Sequence, residues 1–171
     1  LVRTLTDPGE VKRIVERLLE VTIAFGRAQI EAGADCLLVA DHATRDLCSP
    51  AAYAEFLREA HARLVEALPV PLILHICGDT ADRIGMIAET GMACFHWDTR
   101  TGYPASVRAL AGERMALMGG IGTSLLLRGS PQDIAAIFVR GRTVLVTPWA
   151  QRLKEYVDRG FVRRFRNPGR G

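Results

Sequence analysis

Pro71-Leu72-Ile73-Leu74-His75-Ile76-Cys77-Gly78-Asp79 is an apolar run that closes on an imidazole, a thiol and a glycine. It is short, continuous and bounded by Pro71 and Gly78, which reads as a β-strand buried on both faces, as in a parallel sheet covered by helices. Side chains alternate along a strand, so His75 and Cys77 share one face and Ile76 takes the other. The two donors converge at the C-terminal end of the strand, where Gly78 lets a ligand approach the backbone. Imidazole plus thiolate is a zinc-type pair, but zinc takes three or four protein ligands and this stretch supplies two.

Upstream of this strand, Asp7-Pro8-Gly9-Glu10 opens a helix, with Asp7 or Thr6 as cap and Pro8 in the first turn. Val11, Ile14, Val15, Leu18, Leu19, Ile23, Phe25, Ala28 and Ile30 recur at helical spacing, and Gly33 ends the run. Ala34-Asp35-Cys36-Leu37-Leu38-Val39-Ala40-Asp41-His42 is a second buried strand, followed by a polar loop and a helix from Ser49-Pro50 to residue 68. Tyr53, Phe56, Leu57, Ala60, Leu64 and Val65 form the inner face of that helix.

Downstream the same cycle continues with a helix over residues 80–89, a strand over 93–98, a short helix over 105–110 and a strand over 115–121. Ser130-Pro131-Gln132-Asp133 caps a helix to residue 139, Thr143-Val144-Leu145-Val146-Thr147 is a last strand, and residues 149–159 form a last helix. Five strands alternating with helices make an α/β protein with a parallel sheet. Glu31-Ala32-Gly33-Ala34-Asp35 through Asp41 is echoed by Glu89-Thr90-Gly91-Met92-Ala93 through Asp98, which supports a repeating βα unit. An eight-stranded barrel needs about 250 residues, so five units form either an open sheet or the later part of a barrel. Leu1 in place of methionine is read as the mark of a chain cut from something longer.

The 171 residues suit one domain with a sizeable core, expected over residues 1–158, with a basic, disordered tail over 159–171. The net charge of +3 is concentrated in that arginine-rich tail, so the near-neutral body argues against nucleic-acid binding. The sequence shows neither a signal peptide nor an apolar run of membrane-spanning length, which gives no membrane partner. Cys36, Cys48, Cys77 and Cys94 form no CxxC pair, and a cytoplasmic, reducing setting is the default.

Polar side chains gather at the C-terminal ends of the strands: Asp41 and His42, His75 and Cys77, His96 and Asp98. Barrels and open α/β sheets both place their chemistry at that edge. Arg45 and Arg100 come just after two of the strand ends, where they bind an anionic substrate or neutralise the aspartates. Bland readings stand beside these. Cys36 and Cys94 are core thiols, Cys48 is incidental, and His61 is a surface or satisfied histidine. Asp41 and Asp98 cap the helices or loops next in the chain, and His75 is a hydrogen-bonded imidazole beside a buried thiol. No GxGxxG, P-loop or GxSxG arrangement appears, which weakens dinucleotide, nucleotide and serine-hydrolase readings.

Taken together, Ile30-Glu31-Ala32-Gly33-Ala34-Asp35, Ser49-Pro50-Ala51-Ala52-Tyr53-Ala54-Glu55-Phe56, Leu74-His75-Ile76-Cys77-Gly78, Phe95-His96-Trp97-Asp98 and Gly129-Ser130-Pro131-Gln132-Asp133 resemble the uroporphyrinogen decarboxylase superfamily. Within it they are most similar to the methylcobamide:coenzyme M methyltransferases, since the porphyrinogen decarboxylases lack the His-x-Cys-Gly element. The resemblance implies a (β/α)8 barrel of which this chain is the C-terminal half. It also implies a zinc held by His75 and Cys77, with a carboxylate near Asp98 as a further, exchangeable ligand; from their strand-end positions Asp98 and His96 are the candidate catalytic groups and Asp41, Arg45 and Arg100 the candidate substrate-binding ones. The implied reaction moves a methyl group from a methylated corrinoid, free or carried by a corrinoid protein, to a small thiol such as coenzyme M. A further zinc-ligand cysteine is implied after the last strand, but the matching stretch reads Val146-Thr147-Pro148-Trp149-Ala150-Gln151 and no cysteine occurs after Cys94.

Two rivals arise from the same residues. One is a metal-independent decarboxylase of uroporphyrinogen or another anionic tetrapyrrole, with Arg45, Arg100 or Arg128 clamping carboxylates. The other is an inactive half-barrel acting only by association, for which a homo-oligomer covers the open sheet edges.

Overall fold

The computed structural model describes residues 2–120, 122–130 and 132. Helix α1 (Val2–Thr6) leads into the long α2 (Pro8–Glu31), whose N-terminus is capped as expected, with Asp7 Oδ1 accepting from the Glu10 amide at 2.9 Å. Then come β1 (Leu37–Asp41), α3 (Pro50–Phe56), α4 (Arg58–Ala67), β2 (Leu72–Ile76), α5 (Ile84–Ala88) and β3 (Cys94–Trp97). A 3-10 turn (Thr99–Thr101), α6 (Pro104–Ala111), β4 (Ala116–Gly119) and α7 (Thr123–Arg128) complete the described chain.

The four strands lie in the order β1-β2-β3-β4 and every pairing is parallel, which is the sheet of consecutive βα units that the alternation predicts. The expected strand at 143–147, the helices over 133–139 and 149–159 and the tail over 159–171 lie outside the described residues. Register sorts the side chains onto two faces. Leu37, Leu72, Leu74, Ile76, Phe95, Trp97 and Leu117 share the helix-covered face and join Tyr53, Leu64, Ile84, Ile87 and Val107 in one core cluster. Each such fully buried apolar side chain contributes roughly 1.5–3 kcal/mol.

The opposite face carries Leu38, Ala40, Ile73, His75, Cys94, His96, Ala116 and Met118. Along β2 burial alternates strictly, so this strand is buried on one face and half-buried on the other, a correction to the expectation of burial on both. The reason is that the helices cover only the Leu72–Leu74–Ile76 side.

Three further expectations are corrected. The helix expected over residues 49–68 is two helices, because Leu57 at φ −118° departs from helical geometry between α3 and α4. The apolar stripe of α2 is not all core: Leu19 is buried, whereas Ile14, Leu18 and Phe25 are exposed. Cys36 is exposed rather than buried, since it stands one residue before β1 begins, while Cys94 inside β3 is buried as expected.

Candidate functional site

β2 delivers His75 and Cys77 to the same face, as alternation requires, with His75 Nε2 3.0 Å from Cys77 Sγ. His75 Nδ1 lies 3.0 Å from the backbone carbonyl oxygen of His96 on the adjacent β3. A carbonyl only accepts, so Nδ1 carries the proton and Nε2 turns its lone pair towards the sulfur. This is the outer support that metal-binding histidines ordinarily have, a backbone oxygen fixing tautomer and ring orientation. The His96 ring stands beside it, with centroids 4.6 Å apart. Burial, and then the charge of His75, hold the His96 pKa below the ordinary imidazole value, against the opposing pull of Asp98.

Gly78 ends β2 at φ +90°, a conformation that L side chains rarely adopt, and a Cβ there would meet Thr44 Oγ1 at 2.3 Å. The turn is held from both sides. The Gly78 amide donates to Asp98 Oδ2 at 2.9 Å, and Thr101 Oγ1 donates to the Gly78 carbonyl at 2.9 Å. Asp98 also caps the 3-10 turn by accepting from the Arg100 amide at 2.9 Å. Its burial works to raise its pKa, but the amides of Arg100 and Gly78 and the Arg100 side chain outweigh that and leave the carboxyl below its ordinary range.

The two arginines sit at the rim. Arg45 Nη1 donates to Asp79 at 2.8 Å and its Nε to Asp82 at 3.3 Å. Arg100 is held more loosely, 3.4 Å from Asp98 and 3.9 Å from Asp46, with its side chain 61% exposed.

The structure therefore brings His75, Cys77 and His96 together, with Asp98 and Arg100 joined to them through Gly78. It does not bring Asp41 there. Register puts Asp41 beside Ile76 on the helix-covered face, where its Oδ2 meets His61 Nε2 at 3.1 Å and its Oδ1 accepts from the Ala43 amide at 3.0 Å. His61 is buried, and its Nδ1 is 3.0 Å from the Tyr53 hydroxyl, so the bland reading of a satisfied histidine holds. Spacing could not reveal Arg83, which is 1% exposed and anchors the loop after β1 through the carbonyls of Ala43 and Cys48. Nothing in its sequence context marks it out.

As donors, an imidazole nitrogen and a thiol sulfur suit zinc, and the fixed His75 tautomer suits it further. Among the described residues no group of three or more His, Cys, Asp or Glu is placed to hold a metal ion. The pair by itself offers two donors, fewer than the three or four protein ligands a zinc takes.

The family profile described as Uroporphyrinogen decarboxylase (URO-D) matches residues 2–143. The chain is similar to the methylated-thiol–coenzyme M methyltransferase of Methanosarcina mazei, 32% identical over 133 residues, which are 77% of this chain and 36% of that protein. It is similar to the methylcobamide:CoM methyltransferase MtaA of Methanosarcina barkeri, 30% identical over 115 residues, covering 67% of this chain and 34% of the relative. A uroporphyrinogen decarboxylase of Syntrophotalea carbinolica is 32% identical over 136 residues, covering 78% of this chain and 38% of its own. Among solved structures, a methyltransferase from Methanosarcina mazei superposes with a TM-score of 0.65 at 23% identity, over 67% of this chain and 34% of that one. That likeness shows a common fold. The chain spans about a third of the length of the curated relatives it matches.

Proposed function

Because the chain belongs to the uroporphyrinogen decarboxylase family, we propose that it carries the thiol-activating edge of a corrinoid-dependent methyltransferase. The observation that carries this reading is the His75 Nε2 to Cys77 Sγ pairing at 3.0 Å, with the other ring nitrogen tied to the His96 carbonyl.

In this reading His75 and Cys77 are two ligands of a zinc ion. Zinc, when bound, supplies the positive charge that lets a coordinated thiol lose its proton at neutral pH. His96, on the same sheet face and against the His75 ring, is in this reading the neighbouring base that takes up that proton. Asp98 acts by holding the Gly78 amide, and so the end of β2, in place. Arg100, exposed and loosely paired, binds an anionic group on the thiol, and Arg45 supports the rim through Asp79 and Asp82. Asp41 supports the end of β1 through His61 rather than touching substrate.

The substrate sulfur takes the methyl group and loses its proton, while the corrinoid keeps the electron pair of the broken bond. The methyl donor is a methylated corrinoid, free or on a corrinoid protein, and the acceptor is a small thiol such as coenzyme M. The setting is the cytoplasm, which suits four unpaired cysteines, and among the described residues no helix is long and apolar enough to cross a membrane.

The test is corrinoid absorbance when the chain is mixed with zinc, methylcobalamin and coenzyme M. Thiol-dependent demethylation that stops with chelator or with His75→Ala is expected. Decarboxylation of uroporphyrinogen at a rate indifferent to both would overturn the assignment.

A further inference from the structure

Among the described residues Arg83 has the largest of the fully buried side chains, yet it touches none of the residues assigned a chemical role. Its Nη1 donates to the Ala43 carbonyl at 2.8 Å and its Nη2 to the Cys48 carbonyl at 2.6 Å, near the two ends of the loop between β1 and α3. Its Nε donates to Asp82 Oδ1 at 2.9 Å, and Asp82 Oδ2 accepts from Arg45 Nε. The guanidinium also lies over the Tyr53 ring, 5.9 Å from its centroid, and Tyr53 belongs to the Asp41–His61 chain.

The loop so anchored is the one that grips the end of β2. Thr44 Oγ1 donates to the Asp79 carbonyl at 3.1 Å, the Arg45 amide donates to the same oxygen at 2.9 Å, and Thr44 fills the space a Gly78 side chain would need. From the other side Asp98 and Thr101 hold Gly78. The Cys77-Gly78-Asp79 turn is thus wedged between two loops, and the buried Arg83, a few residues further along the same segment, bonds to the β1–α3 loop by two carbonyls and to its neighbour Asp82, which Arg45 of that loop also bonds.

We infer that Arg83 is a positioning residue, setting where the β1–α3 loop sits and through Thr44 and Arg45 the placement of Cys77 and Gly78 against Asp98. A planar guanidinium suits the task because it presents several donors in a fixed fork, which a lysine ammonium does not. This goes beyond the proposed methyl transfer and stands whether or not zinc binds, since it concerns how two loops are held together.

Residue-resolved amide hydrogen exchange on the full chain, without metal or substrate, tests it. In Arg83→Met the amides of Arg45 and Gly78 are expected to exchange about tenfold faster or more, while β2 and β3 amides such as Leu74 and Phe95 keep their protection. Arg83→Lys restores part of the difference. A uniform loss over all amides would assign Arg83 to general stability, and unchanged Gly78 exchange would cut its link to the site; either overturns the inference. Should Arg83→Met not fold, Asp82→Asn, which breaks the link between Arg83 and Arg45 with an isostere, is expected to give the same selective acceleration, and its absence would equally overturn it.

Discussion

Cys36 and Cys94 both stand at the start of an apolar strand, and the structure gives them opposite surroundings. Burial pushes the Cys94 thiol up to about 11, against a smaller opposing pull from Arg108, while Cys36 is exposed. At about pH 8, mass spectrometry after mild alkylation should find Cys36 modified and Cys94 intact in the folded chain. Asp41 offers a second residue-level test. Its burial works to raise its pKa, but the hydrogen bond and charge of His61, then the amides of Ala43 and His42, hold it below the ordinary carboxylate value. The unfolded chain therefore takes up this proton first as pH falls, so the stabilisation is present at neutral pH and is lost below about pH 4. Asp41→Asn should cost about 1–3 kcal/mol at neutral pH and flatten the acid limb of stability against pH, read by urea unfolding. Which face Asp41 occupies was beyond reading in one dimension. A strand-end carboxylate looks the same whether it points to the site or to a buried histidine, and only the register beside Ile76 decides.

At the scale of elements, the most constrained is the turn that ends β2. Gly78→Ala brings both a positive-φ penalty and a Cβ at 2.3 Å from Thr44 Oγ1, and should destabilise by about 1–3 kcal/mol. Adding Thr44→Ala relieves the clash and leaves the φ cost, so thermal unfolding should show partial rescue. The strands and helix starts were largely legible, because a buried parallel strand must be a short apolar run and a helix start needs a capping oxygen. Leu72–Ile76 and Cys94–Trp97, the Asp7 cap and the Ser49 cap all obey that logic. The break at Leu57 had no such signal, since Phe56-Leu57-Arg58 contains neither glycine nor proline. Nor did the burial of Arg83, whose partners are backbone carbonyls that carry no sequence signature.

For the molecule as a whole, the long α2 leaves Ile14, Leu18, Val21 and Phe25 exposed along one stripe, and Leu38 is exposed on β1, the first strand of the described sheet. A cavity of about 390 Å³ between α2, β1 and α4 is lined by Leu18, Phe25 and Leu38, away from the His75–Cys77 pair. Leu18→Ser with Phe25→Ser should leave the melting temperature nearly unchanged, because exposed positions move stability by only about 0.5 kcal/mol. The same pair should lower any self-association seen by sedimentation velocity. Association unaffected by both changes would move the contact elsewhere. The central claim concerns the pair at the end of β2, and metal content reads it most directly. Elemental analysis of the chain purified without chelator, beside Cys77→Ala and His75→Ala, is predicted to find zinc bound in the parent chain and lost from both variants. Zinc absent from the parent, or retained equally in all three, would contradict the claim.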